Sequence, residues 1–163
     1  MTVLQSFRAR TGEPLGAPLA ASTPAEIDAA VEAAAQAFDF WRDSDRVQRA
    51  ALLYGIAVAL EGDRETLVPL ADDETGLGPV RLNGELDRTV FQLRRFAKMC
   101  EDGVPYFWLD DPAVAGGPPA GHPDMGRVRV PLGPVAMFAA SNFPFAFSVP
   151  GGDTASALAA GCS

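Results

Sequence analysis

One change in the spacing of apolar residues constrains this chain more than any other feature. From Thr23 to about Gly103 they recur at the 3.6-residue period of a helix. Beyond Arg127 that period gives way to alternation and then to a continuous apolar run. The stretch between, Asp110 to Gly126, holds four prolines and four glycines and can sustain neither a helix nor a central strand. The order implies an α/β chain in four parts: an arm (1–22), a helical region (23–109), a Pro/Gly-rich loop (110–126) and a strand–loop–helix unit (127–163).

Local signals place the helices. Thr23 is a good N-cap, Pro24 fits the first helical position, and Glu26 completes a capping box. Ile27, Ala30, Val31, Ala34, Phe38 and Trp41 then form a stripe expected to be buried. Ser44 or Asp43 is the expected cap of a second helix carrying Val47, Ala50, Ala51, Tyr54 and Val58, stopped by Gly62. Asp63 can cap a third through Leu67 and Leu70 towards Gly76. Pro79 opens a fourth, with Val80, Asn83, Leu86, Val90, Leu93 and Ala97 on one face and an end near Gly103. The first twenty residues carry turn chemistry and read as an edge hairpin or a loosely attached arm. Arg88, Arg94 and Arg95 read as a solvated or ion-paired face, and Asp72-Asp73-Glu74 as a solvated helix end.

Arg127–Val130 alternates as a half-exposed strand does. Gly133-Pro134 leads into Val135–Ala140, an apolar run suited to burial on both faces of a parallel sheet. A helix ending at Gly161 follows. The loop after such a strand lies at the carboxyl edge of a sheet, where α/β proteins bind ligands. There Asn142 offers a neutral amide donor of the kind that stabilises a developing oxyanion.

Charge and cysteine usage exclude several functions. A formal net charge of −8 repels phosphate backbones, so neither nucleic acid nor an anionic membrane is an expected partner. No apolar stretch is long enough to span a bilayer, and Met1–Ser6 does not resemble a signal peptide. Two cysteines and one histidine give no metal-ligand cluster and fit a reducing, cytoplasmic setting. Cys162 follows a helix end and Cys100 precedes Glu101 and Asp102, so neither is placed for a lowered thiol pKa. His122, in Gly121-His122-Pro123-Asp124, reads as a loop histidine.

The string GPVAMFAASNFPFAFSVPGGDTASALAAGC, residues 133–162, resembles the aldehyde dehydrogenase superfamily. It is most similar to the α-ketoglutarate semialdehyde (2,5-dioxovalerate) dehydrogenase branch, which has Ser-Asn-Phe-Pro where many relatives have Trp-Asn-Phe-Pro. Softer collinear matches are Thr11-Gly12-Glu13, Glu74-Thr75-Gly76 and Gly84-Glu85 with Arg88. The resemblance implies an N-terminal portion of a Rossmann-like cofactor-binding domain, truncated before its next strand. For the full-length enzyme it implies NAD or NADP as cofactor, a small aldehyde as substrate and a homo-oligomer, with no tight cofactor binding expected of this fragment. Asn142 matches the oxyanion asparagine, and Phe138, Ala139, Ala140 and Ser141 match the wall lining the cofactor. The strand Arg127–Val130 matches an element of oligomerisation. The nucleophilic cysteine, glutamate base and ribose-binding lysine are expected beyond Ser163, and the isolated chain is expected to be inactive. Two alternatives stand beside this: a non-catalytic binding or assembly module, and a dehydrogenase for another semialdehyde.

Overall fold

In the computed structural model, which describes residues 2–163, the chain orders as β1 (Val3–Phe7), β2 (Pro14–Ala20), α1 (Pro24–Trp41), α2 (Arg46–Gly62), α3 (Arg64–Thr75), α4 (Pro79–Glu101), β3 (Trp108–Asp111), β4 (Met125–Val128) and α5 (Gly152–Ala160). Helices and strands are mixed, and the two sheets formed among the described residues are both antiparallel pairs, β1–β2 and β3–β4. The helix starts follow the local signals. Thr23 and Glu26 make the reciprocal capping box of α1, and Pro79 stands in the first turn of α4. The second helix is capped by Asp45 rather than Ser44 or Asp43, because only Asp45 has a glutamine three residues on to bond back to it. Asp63 precedes α3 without a side-chain cap bond, and α3 ends at Gly76 with φ +68°.

The long helix α4 organises the rest. Val90, Leu93, Ala97 and Cys100 pack against Ala50, Leu53 and Ala57 of α2 and Ala155 and Ala159 of α5. Its first half packs Leu82 and Leu86 against Val68 and Ala71 of α3 and against Phe145. Val47 and Val58 of the expected α2 stripe are exposed, as is Val80 of α4, since the buried face of each helix lies on the neighbouring row.

Further expectations are corrected. The stripe on α1 forms but is not buried: no α1 residue is, and Ile27 and Val31 face an open groove of about 400 Å³ shared with Val135. The fourth helix ends at Glu101, close to the expected Gly103, which takes φ +78°, and a single 3-10 turn leads into β3, whose first two residues fall inside the 23–109 span. The strand expected at Arg127–Val130 is Met125–Val128, exposed along its whole length. The run Val135–Ala140 forms no strand and is mostly exposed, since no strand flanks it among the described residues. Its ends are held by two backbone bonds, Val135 N–H to Ser163 O (2.8 Å) and Ala140 N–H to Phe147 O (2.8 Å).

The arm is a hairpin, and it is fastened. Arg8 pairs with Asp73, Arg10 makes two hydrogen bonds to Asp72 at 2.9 Å, Ser6 bonds Glu74, and the Ala9 N–H reaches Asp73 O. The acidic run at the end of α3 is therefore a docking strip rather than a merely solvated helix end. The Arg10 guanidinium, and then the Gly78 N–H, hold the Asp72 carboxyl below its ordinary value of 3.8. A depressed folded-state value means this attachment is complete above 3.8 and is lost as pH falls through the lower one. Acidification below pH 3.8 is expected to free the hairpin before the α2–α4 core opens. The Ala9 amide shift should follow that step in the parent chain, and in Arg10→Ala the step should flatten.

Candidate functional site

The site is built on one face of α4. Arg81, Glu85 and Arg88 stand four and three residues apart, so they share one side of the helix. Over them lies the loop Ser141–Phe147. The Arg81 guanidinium donates to the Asn142 carbonyl at 2.8 Å and lies 5.2 Å from the centre of the Phe143 ring. Arg88 sits 5.3 Å from the Phe147 ring, so it packs on the loop rather than standing fully solvated. Between them, Glu85 Oε1 accepts from the Phe145 and Ala146 N–H groups at 2.9 and 3.0 Å. Glu85 is only 7% exposed, and a carboxylate so buried is tolerated where charge-assisted hydrogen bonds meet it.

The loop also closes on itself. Phe143 and Phe147 meet edge to face with ring centroids 5.1 Å apart, and the Phe147 N–H bonds the Phe143 carbonyl. The Ala146 carbonyl accepts from Gly152 N–H at 3.1 Å, joining the loop to the start of α5. Gly151 makes this approach possible, since a Cβ there would lie 2.5 Å from that carbonyl oxygen. With its backbone fixed from beneath, Asn142 is exposed, and its side-chain amide makes no hydrogen bond among the described residues. Phe138, Ala139, Ala140 and Ser141 run up to it, all exposed, Phe138 at 89%. The structure thus brings the five sequence-predicted residues together along one exposed path.

It does not bring a nucleophile to them. Cys100 and Cys162 are both buried, Cys100 completely. Burial pushes the Cys100 thiol up, with Arg49 opposing and Glu101 adding to the rise. His122 lies in the loop between β3 and β4, its Nδ1 at 2.9 Å from the Pro123 carbonyl and its Nε2 at 3.9 Å from Asp111. Among the described residues no group of His, Cys, Asp and Glu could hold a metal ion, and no helix is long and apolar enough to cross a membrane.

The residue missed from sequence is Glu85. A glutamate on a helix reads as solvent-facing, but Leu82 and Leu86 flank it on the buried side and Arg81 and Arg88 share its row. Charged residues spaced four and three apart beside the deepest apolar positions are the signal that could have found it.

Helices stacked beside a fixed Asn-Phe-Pro loop are one corner of a known class of enzyme. The sequence profile of the aldehyde dehydrogenase family matches residues 2–163, and the chain belongs to that family. Among curated proteins it is 46% identical over 160 residues to "Alpha-ketoglutaric semialdehyde dehydrogenase 2" of Azospirillum brasilense, covering 98% of this chain and 30% of that protein. The chain thus spans about a third of the length of such relatives. An aldehyde dehydrogenase from Brucella melitensis biovar abortus 2308 superposes with a TM-score of 0.85 over 99% of this chain and 31% of its own, at 23% identity. PnpE, solved in complex with nicotinamide adenine dinucleotide, gives 0.80 at 26% identity, over 99% of this chain and 31% of its own.

Proposed function

We propose that this chain supplies the oxyanion-and-coenzyme corner of an NAD(P)-dependent aldehyde dehydrogenase that oxidises α-ketoglutarate semialdehyde to 2-oxoglutarate. The observation that carries this reading is the Asn142 amide, held out from a loop whose backbone is tied to α4 and α5. The 46% identity to a semialdehyde dehydrogenase supports the choice of substrate. In the reaction a thiolate adds to the aldehyde carbon, and Asn142 donates to the oxygen as negative charge grows there. The coenzyme, when bound, accepts the hydride. Phe138 to Ser141, with one aromatic ring and three small uncharged side chains, fit a wall against which its ring system can lie. With both cysteines buried, the chain by itself turns over no aldehyde.

The exposed β3–β4 hairpin, with Trp108 and Val128 on its surface, supports assembly with further copies of the chain. Two unpaired buried cysteines favour a reducing, cytoplasmic setting.

The test is a graft in which residues 1–163 replace the matching segment of the Azospirillum brasilense relative. Formation of NADH or NADPH with α-ketoglutarate semialdehyde is expected in the graft and not with the 163-residue chain alone. A folded graft without turnover would overturn the reading. Preference for another semialdehyde would move the substrate assignment and leave the oxyanion role standing.

A further inference from the structure

We infer that Glu85 is a positioning residue for Asn142, acting through the loop backbone rather than by touching substrate. The inference rests on the oxyanion reading above for its catalytic part and on geometry alone for its structural part. A loop of seven residues has few ways to hold one side chain still, and three α4 side chains hold this one, two by hydrogen bonds and one by packing on a ring. Arg81 takes the Asn142 carbonyl, Glu85 takes two successive N–H groups at Phe145 and Ala146, and Arg88 backs the Phe147 ring. Of the three only Glu85 is buried, so only its bonds are shielded from competing water. Its carboxylate receives both donors on Oε1, while Oε2 is buried without a hydrogen-bond partner among the described residues. Pro144 stands between Asn142 and the two pinned amides, and its ring fixes φ, so a fixed Phe145 transmits to Asn142 through a stiff link. The Thr89 hydroxyl, donating to the Glu85 carbonyl at 2.9 Å, is the neighbouring polar contact within α4.

Two measurements decide it. In the 163-residue chain, the Phe145 and Ala146 amides should be protected from hydrogen exchange, and Glu85→Gln should lower that protection by about tenfold or more, consistent with loss of a charge-assisted acceptor. Protection equal in both chains, or absent from the parent, overturns the inference whatever the graft does. In the active graft, Glu85→Gln should lower kcat with little change in the coenzyme KM, and the variant with both Glu85→Gln and Asn142→Ala should be no slower than Asn142→Ala alone. Additive losses would show Glu85 serving the fold at large and overturn the positioning role. An inactive parent graft would count against the functional reading, with the amide measurement still deciding whether Glu85 pins the loop.

Discussion

Asn142→Ala, in the grafted enzyme, is expected to lower kcat by about 10²–10³ while leaving coenzyme KM nearly unchanged. The size follows from what the amide does. A fixed neutral donor stabilises charge that exists only as the carbonyl oxygen becomes an oxyanion, so its loss falls on the chemical step. Stability should barely move, because the side chain is exposed and makes no hydrogen bond among the described residues. Asn142→Asp should be at least as slow, since a carboxylate would face the developing negative charge. Steady-state rates beside a thermal melt check both halves. A kcat within about tenfold of the parent would remove Asn142 from the oxyanion role.

The second large effect lies in the core. Leu53 of α2 has no exposed surface and packs among Val90, Leu93 and Ala97 of α4 with Ala155 and Ala159 of α5. Leu53→Ala removes that buried side chain and leaves a cavity that three helices would have to shift together to fill, for a loss of about 2–5 kcal/mol. Val80→Ala is the internal comparison. Val80 is 89% exposed on the first turn of α4, and its loss should stay within about 0.5 kcal/mol. Urea unfolding of the two variants beside the parent measures the contrast, and similar losses for both would contradict the packing described for α2 and α4.

In that pair Val80, a member of the expected α4 stripe, is exposed, and Leu53, outside the expected α2 stripe, is fully buried. Signals confined to a few neighbouring residues were legible: the Thr23–Glu26 box, Pro79 at the start of α4, Gly76 and Gly161 in left-handed conformation at helix ends. The cap of α2 falls on Asp45, not on the expected Ser44 or Asp43, and its signal is Gln48 three residues on. Burial was not legible, because the 3.6-residue period says which residues share a face and not what covers that face. The α1 stripe keeps its period, yet Ile27 and Val31 meet only an open groove while Trp41 reaches α5, and Val135–Ala140 has the composition of an interior strand with no strand beside it among the described residues. Asn142 is marked by its motif, whereas the spacing of Arg81, Glu85 and Arg88 marks Glu85 without naming its partners, Phe145 and Ala146, sixty residues further along.

The last helix is held from a distance. Arg49 donates to the Ala159 carbonyl across 110 positions of sequence, Trp41 Nε1 to the Leu158 carbonyl across 117, and the Ser163 hydroxyl to the Ala34 carbonyl across 129. Gly161, at φ +90°, lets the chain turn under the Arg49 guanidinium where a Cβ would lie 2.6 Å from its Cζ. Such ties are slow to form, because closing so long a stretch of chain must precede any gain from them. Contacts of α2, α3 and α4 with one another span far shorter separations and are expected to form first. Weakening the tethers to α5 should therefore quicken unfolding and leave the folding rate almost untouched. During synthesis α1 to α4 emerge ahead of the Asn142 loop, so the surface that pins the loop precedes it in the chain.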